Sequence, residues 1–213
     1  MLAVMGPSGA GKSTFVQLLM GKLKNTSGTT YVNGDARGMS GLKKIISYVP
    51  QDDVVLSELM VRENILHSVR IRLPWSWVEK EIERYVDDLL SCLGLSHIQN
   101  SLVGDTVKPV ISGGQRKRVS IGIELAAAPL ALVLDEPTSG LDATSALSII
   151  GLLKALCRLG ITVICILHQP RVEIFQSLDR LLLLANGQEI YFATNLETRR
   201  GSRKLIFIAI RRP

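Results

Sequence analysis

An α/β fold with a mostly parallel sheet follows from three features of this sequence. Four short apolar runs, "LAVMG", "IISYVPQ", "LALVLDE" and "ITVICILH", each end in a glycine or a polar residue. Buried parallel strands look like this when their carboxyl ends open onto a site. The first run leads straight into the glycine-rich stretch "GPSGAGKST" and then into a helix-like run, Phe15 to Lys24. Between the second and third runs the texture turns helical, so residues 56–104 read as a helical subdomain inserted in the α/β core. A length of 213 residues suits one domain, residues 1–192, followed by a tail, residues 193–213.

The glycine stretch after the first strand has P-loop spacing. Gly6, Pro7, Ser8, Gly9, Ala10 and Gly11 let the backbone wrap a phosphate chain, Lys12 reaches the outer phosphates, and Ser13, with Thr14 beside it, binds magnesium. The ligand expected is a purine nucleotide with Mg²⁺. Gln51, after the second strand, carries an amide able to ligate Mg²⁺ or to orient a water, although a lone glutamine after Pro50 is ordinarily a turn residue. In the helical segment, Ser76 and Glu79 form a capping-box pattern ahead of Ile82, Val86, Leu89, Leu90 and Leu93, and Gly94 supplies the stop. Trp75 and Trp77, beside Pro74, are expected to anchor the turn.

A second glycine loop, "VISGGQRKRVSIG", has no lysine in the Gly-Lys-Ser position. Ser112 and Gln115 make another capping box, and Gln115 to Ala128 can run as a helix that Pro129 ends. Its amino end presents amides, a hydroxyl and the positive end of a dipole. Arg116, Lys117 and Arg118 would splay round that helix, so they read as a solvated or partner-facing cluster rather than a nucleic-acid surface. Asp135 and Glu136 close the third strand, where buried carboxylates are costly unless a cation meets them. Alone they could equally cap the following "PTSGLDATSA". With the P-loop on the same edge, Asp135 reads as a Mg²⁺ ligand and Glu136 as the base that takes a proton from attacking water. His168 ends the fourth strand on that edge as a further catalytic candidate, with Gln51. Beyond it, "LLLLANGQEIYF" reads as a hairpin across Asn186 and Gly187.

Composition narrows the class. The 25 Lys and Arg against 19 Asp and Glu give +6, but six of the basic residues fall in the tail, which leaves the rest neutral and gives no reason to expect nucleic acid. Cys92, Cys157 and Cys165 lie in apolar surroundings without metal-ligand spacing and read as buried thiols. No apolar run approaches the roughly 18–20 residues of a membrane span, and no signal peptide is visible. The tail, with six like charges flanking "LIFIAI", is expected to be disordered.

In order, the P-loop, Gln51, "ISGGQ", "LVLDEPTSGLD" and His168 resemble the nucleotide-binding domain of ATP-binding cassette (ABC) proteins. The stretches "GPSGAGKST", "VRENILHSVRIRLP", "ISGGQRKRVSIGIELAAAP", "DEPTSGLDATSA" and "LHQPR" look most like the white-type, or G, subfamily. The resemblance implies a P-loop NTPase core and two domains packed head to tail. Ser112, Gly113 and Gly114, with Gln115 completing the motif, would hold the γ-phosphate of a nucleotide on a partner's P-loop. Asp142 would lie in the loop linking the two sites. The Gln51 region and helical subdomain would meet a transmembrane partner, at the cytosolic face of a membrane. An ATPase subunit driving export of lipids, sterols or hydrophobic compounds is the function implied. A soluble cassette ATPase acting on nucleic acid or ribosomes, and a non-catalytic remnant, stand beside it. Against the family pattern, the strands and adenine-stacking aromatic ahead of the P-loop strand are missing and the tail matches nothing, so a chain truncated at both ends is expected.

Overall fold

Successive residues of a strand point to opposite faces, and the apolar runs of this chain supply apolar side chains to both. The computed structural model describes residues 1–29, 45–105 and 108–194. Along the chain they form β1 (Leu2–Met5), α1 (Lys12–Leu19), β2 (Ile46–Val49), α2 (Val61–Arg72), α3 (Glu79–Cys92), a 3-10 turn (Ser96–Ile98) and α4 (Gly113–Leu125). Then follow β3 (Ala131–Asp135), α5 (Ala143–Arg158), β4 (Thr162–Ile166), α6 (Val172–Ser177), β5 (Arg180–Ala185) and β6 (Gln188–Thr194). The strands make one sheet in the order β2-β3-β4-β1-β5-β6. Every pairing is parallel except the β5–β6 hairpin, so the sheet is mostly parallel, as expected.

Alternation sorts the core into two layers. Ala3, Leu132, Leu134, Val163 and Cys165 face a large cluster that takes Val119, Ile121 and Leu125 from α4, Ile149 and Leu153 from α5, and Ile65, Val69 and Leu90 from α2 and α3. Val4, Val133 and Ile166, each one residue out of phase, pack on the other face against Val16 and Met20 at the end of α1. The segment 56–104 thus contributes two helices and a 3-10 turn to the same core as the sheet.

The connection from β2 into α2 is irregular, and a buried side chain shapes its end. Asn64, only 4% exposed, accepts a hydrogen bond from the Leu56 amide at 2.9 Å and donates to the carbonyls of Leu56 and Met60 at 3.0 and 3.1 Å. The turn from Leu56 to Met60 is folded onto α2 by that amide. Glu63 then satisfies the Met60 amide at 2.8 Å, as a residue at the third helical position does in a capping box.

Several local expectations shift. α3 starts at Glu79 with Val78 as its N-cap, and Glu81, not Glu79, accepts from the Val78 amide, at 3.0 Å. Trp75 is no anchor: it is 98% exposed, while Trp77 meets Tyr85 edge-on at 5.6 Å. α1 begins at Lys12 rather than Phe15, because Gly11 turns the chain into it, and it stops at Leu19 just before Gly21. α4 begins at once after its cap, Ser112, and breaks before Pro129, where Ala128 takes φ of 48°. Of the cysteines, Cys165 is buried, with its thiol pushed up to about 12 by desolvation, whereas Cys92 is exposed on α3. The hairpin turn falls on Asn186 and Gly187, both at positive φ. β6 carries the fold through Thr194, so Ala193, buried, belongs to it; the tail beyond lies outside the described residues.

Replacing Asn64 with Ala should lower stability by about 1 kcal/mol, since it leaves the Leu56 amide and carbonyl without the buried side chain that pairs both. The measurement is a lowered urea midpoint at unchanged slope; a midpoint equal to the parent's would mean that the turn holds itself.

Candidate functional site

Because β2, β3, β4 and β1 are neighbours and parallel, their carboxyl ends share one edge of the sheet. Register pairs Val49 with Leu134, Asp135 with Ile166, and Ile166 with Val4, so the residues leaving these strands stand abreast. The Glu136 amide donates to the Ile166 carbonyl at 3.1 Å and the Leu167 amide to that of Val4 at 3.1 Å, which carries the alignment one step past the strands. Ser8 to Thr14, Gln51, Asp135 and Glu136 line one cleft at this edge. A second cleft takes Glu136 again with Thr138, Ser139, Leu141, His168 and Arg171. Glu136 is shared by both, and its backbone holds φ of 45°, unusual for a residue with a side chain and costly unless the surroundings enforce it. Asp135 and Glu136 are half-buried and His168 is exposed.

The glycine loop is braced from the far end of the chain. Gly6, at φ of 154°, lies so close to β5 that a Cβ there would sit 2.1 Å from the Leu184 carbonyl oxygen. The Gly187 amide, from the hairpin turn, donates to the Ala10 carbonyl at 3.2 Å. Lys12 donates its ammonium to the carbonyls of Gly6 and Pro7, 2.9 Å each, and so lies along the loop. As Lys12 and Ser13 open α1, the free amides and dipole of that helix end serve the same cleft.

The donors suit a hard divalent cation. The Ser13 hydroxyl, the Gln51 amide oxygen and the Asp135 carboxylate are oxygen ligands on one cleft, and Mg²⁺ is typically held by one or two carboxylates with phosphate oxygens and waters making up the rest. Among the described residues no cluster of three His, Cys, Asp or Glu offers an all-protein cage. Tyr48, unnoticed in the sequence, donates its hydroxyl to Asp135 Oδ2 at 3.1 Å. Desolvation first, and the Asp135 charge second, push that phenol up to about 12, so it remains a neutral donor at ordinary pH. Lys22 stands 4.4 Å over the Tyr48 ring and steadies it from α1's side. The alternation along "IISYVPQ" placed Tyr48 opposite the core-facing Ser47 and Val49, but its partner is 87 residues away.

The second glycine loop forms the expected capping box. Gln115's amide donates to Ser112 Oγ at 3.2 Å, and the Ser112 amide to Gln115 Oε1 at 2.8 Å. The structure does not bring this loop to the first one: Ser112, Gly113, Gly114 and Gln115 line neither cleft. They pack instead on the start of α5, where Gly114 leaves room for Ser145 and Gly113 for Leu141. There Asp142 caps α5, accepting from the Thr144 and Ser145 amides at 3.0 Å each, and its carboxyl is held below its ordinary range, most strongly by the Ser145 side chain. Ser112, Gly113 and Asp142 are all exposed. Of the cluster expected to be solvated or partner-facing, Lys117 is buried, while Arg116 and Arg118, half-exposed, donate to the Gly104 carbonyl and to Ser148.

Comparison with known proteins agrees with this layout. A family model described as ABC transporter matches residues 1–139. An ABC-type transporter, claG, of Penicillium crustosum is 52% identical over 193 residues, covering 91% of this chain and 26% of that protein. ABC transporter G family member 28 of Arabidopsis thaliana is 45% identical, over 87% of this chain and 17% of its own length. The chain therefore spans about a quarter or less of these relatives. Among solved structures, cbiO1 of Clostridium perfringens, part of the ABC transporter complex cbiONQ, superposes with TM-score 0.79 at 30% identity, over 94% of this chain and 79% of that one. The ATP-binding cassette MJ0796, a dimer in a post-hydrolysis state with ADP and Pi, gives 0.72 at 25% identity, over 92% and 85%.

Gly6 offers a local test of the loop. Gly6→Ala forces a Cβ onto the Leu184 carbonyl at a φ that side chains avoid, and should cost about 1–3 kcal/mol in chemical denaturation. Parent-like stability would mean that β5 does not set the height of the loop.

Proposed function

The chain belongs to the ABC transporter family, and on that premise we propose that its cleft binds ATP with Mg²⁺ and hydrolyses it to drive export of hydrophobic compounds such as lipids or sterols. Its named relatives include G family members, and a transport-associated ATP-binding cassette with ATPase activity is the reading they carry. Residues 1–194 form the cassette, with residues 56–104 as a helical subdomain facing a transmembrane partner at the cytosolic side of the membrane. Among the described residues no helix is long and apolar enough to cross a membrane.

Each residue at the sheet edge then has a task. The loop amides and Lys12 hold the phosphates, and Ser13, Gln51 and Asp135 hold Mg²⁺, which when bound neutralises phosphate charge. Glu136 accepts the proton as a water attacks the γ-phosphorus and the bond to the bridging oxygen breaks, releasing ADP. His168, on the adjoining cleft, donates to the departing phosphate. Tyr48 keeps Asp135 turned toward Ser13.

The single observation that carries the dimeric part of this reading is that Ser112 to Gln115, built like a phosphate site, line neither cleft of their own chain, with Ser112 and Gly113 exposed beside Asp142. A surface so arranged completes the ATP site of a second cassette, as one domain's loop meets its partner's Gly6 to Thr14.

Glu136→Gln should abolish hydrolysis while leaving ATP affinity intact, because the amide keeps the shape but takes no proton; turnover near the parent rate would remove Glu136 from the mechanism. The dimer is tested by mixing Lys12→Ala with Gly113→Asp subunits. The second substitution fits the fold, since its Cβ meets only the flexible tip of Leu141 at 3.3 Å, yet it sets a carboxylate against the partner's γ-phosphate. Each mutant alone should fail to dimerise with ATP. Mixed, both lesions fall in one composite site and the other is intact, so ATP-driven dimerisation should return in size-exclusion chromatography. A mixture no better than its components would mean that the loop does not act across the interface.

A further inference from the structure

The segment between β2 and α2 carries Gln51 into the cleft, yet it has no strand or helix of its own from Gln51 to Val55. Its far end is held by Asn64 and its near end by Lys117 of α4. Lys117 is 3% exposed, and among the described residues the other buried polar side chains, Ser47, Asn64 and Ser120, are neutral. Its ammonium donates to the Gln51 carbonyl at 2.8 Å and lies 2.7 Å from Asp53 Oδ1. A charge taken out of water is costly, and an apolar side chain would fill the space at lower cost, so packing alone does not account for a lysine here. What an ammonium adds is direction. It fixes the carbonyl of the residue whose side chain faces the cleft, and anchors that residue to the helix whose first turn is Gly113, Gly114 and Gln115. Sixty-six residues of sequence separate the two.

We propose that Lys117 is a positioning residue that couples occupancy of the outer-phosphate end of the cleft to the placement of the α4 amino end, by holding the Gln51 backbone and α4 as one body. The inference rests on the reading of the cleft as an ATP site and deepens it. Since coupling is reciprocal, whatever grips Ser112 to Gln115 also biases Gln51 toward its liganded position. With Lys117 in place Gln51 is presented before the nucleotide arrives. Without it, part of the binding energy goes into ordering the segment.

The test is isothermal titration of the full chain and its variants with two probes, the β,γ-imido analogue of ATP with Mg²⁺ and ADP with Mg²⁺. The parent chain gives the reference, and a parent that binds neither probe overturns the ATP reading itself. In Lys117→Met the ATP analogue should bind at least about fivefold more weakly while ADP, which has no phosphate at the Gln51 end, stays within about twofold, a split in the usual range of coupling energies. Lys117→Arg, which can still donate to both the Gln51 carbonyl and Asp53, should return most of the analogue affinity. Asp53→Asn keeps the lysine and the carbonyl contact, loosens the ammonium, and should weaken only the analogue; it decides the matter if Lys117→Met does not fold. Equal weakening of both probes would make Lys117 a plain structural residue, and unchanged affinity for both would remove the coupling; either overturns the proposal while leaving the ATP site standing.

Discussion

The chemistry of this molecule depends on the side-by-side, parallel pairing of β2, β3, β4 and β1. Parallel strands place all their carboxyl ends on one edge, and unbroken register keeps those ends level. A glycine loop, an amide, two carboxylates and an imidazole scattered from Gly6 to His168 thereby become neighbours without any segment having to reach. The edge also explains why the strands are apolar on both faces: each must be covered on two sides, by α1 on one and by α4 and α5 with the helical segment on the other. An antiparallel order would have sent Gln51 or Asp135 to the opposite side of the sheet.

Most of that edge could be read in the sequence, because it is written in local terms. An apolar run followed by a polar residue, a glycine loop between strand and helix, Asn-Gly between two apolar stretches and Ser three residues ahead of Gln are all short-range patterns with one dominant conformation. Helix ends slipped by a few residues where two caps competed. At α3, Val78 with Glu81 prevailed over Ser76 with Glu79, whose carboxylate is instead paired with Arg70.

The residues that escaped notice act across distance. Tyr48 meets Asp135, Lys117 meets Gln51, and Asn64 turns back on Leu56, and in none of these does a periodic pattern name the partner. Within the basic triplet, Lys117 departed from expectation for the same reason. On an isolated helix three consecutive cations splay into water, but α4 is covered on several sides, so each found a carbonyl, hydroxyl or carboxylate of the fold. Trp75 is the converse, a large aromatic whose type promised burial and whose place at the tip between α2 and α3 left it in solvent.

The brace beneath the glycine loop has a bearing on how the chain is made. β1 and the loop precede the elements they rest on: among the described residues β1 pairs with β4 and β5, and the loop rests on Leu184 and Gly187. Synthesis runs amino end first, so β1 has no partner among the described strands until residue 164 and its loop no floor until the hairpin appears. Such non-local closure is slow relative to helix formation. The nascent chain therefore carries an apolar strand in waiting, "LAVM", until β4 has been made, and the loop is braced only when the hairpin follows.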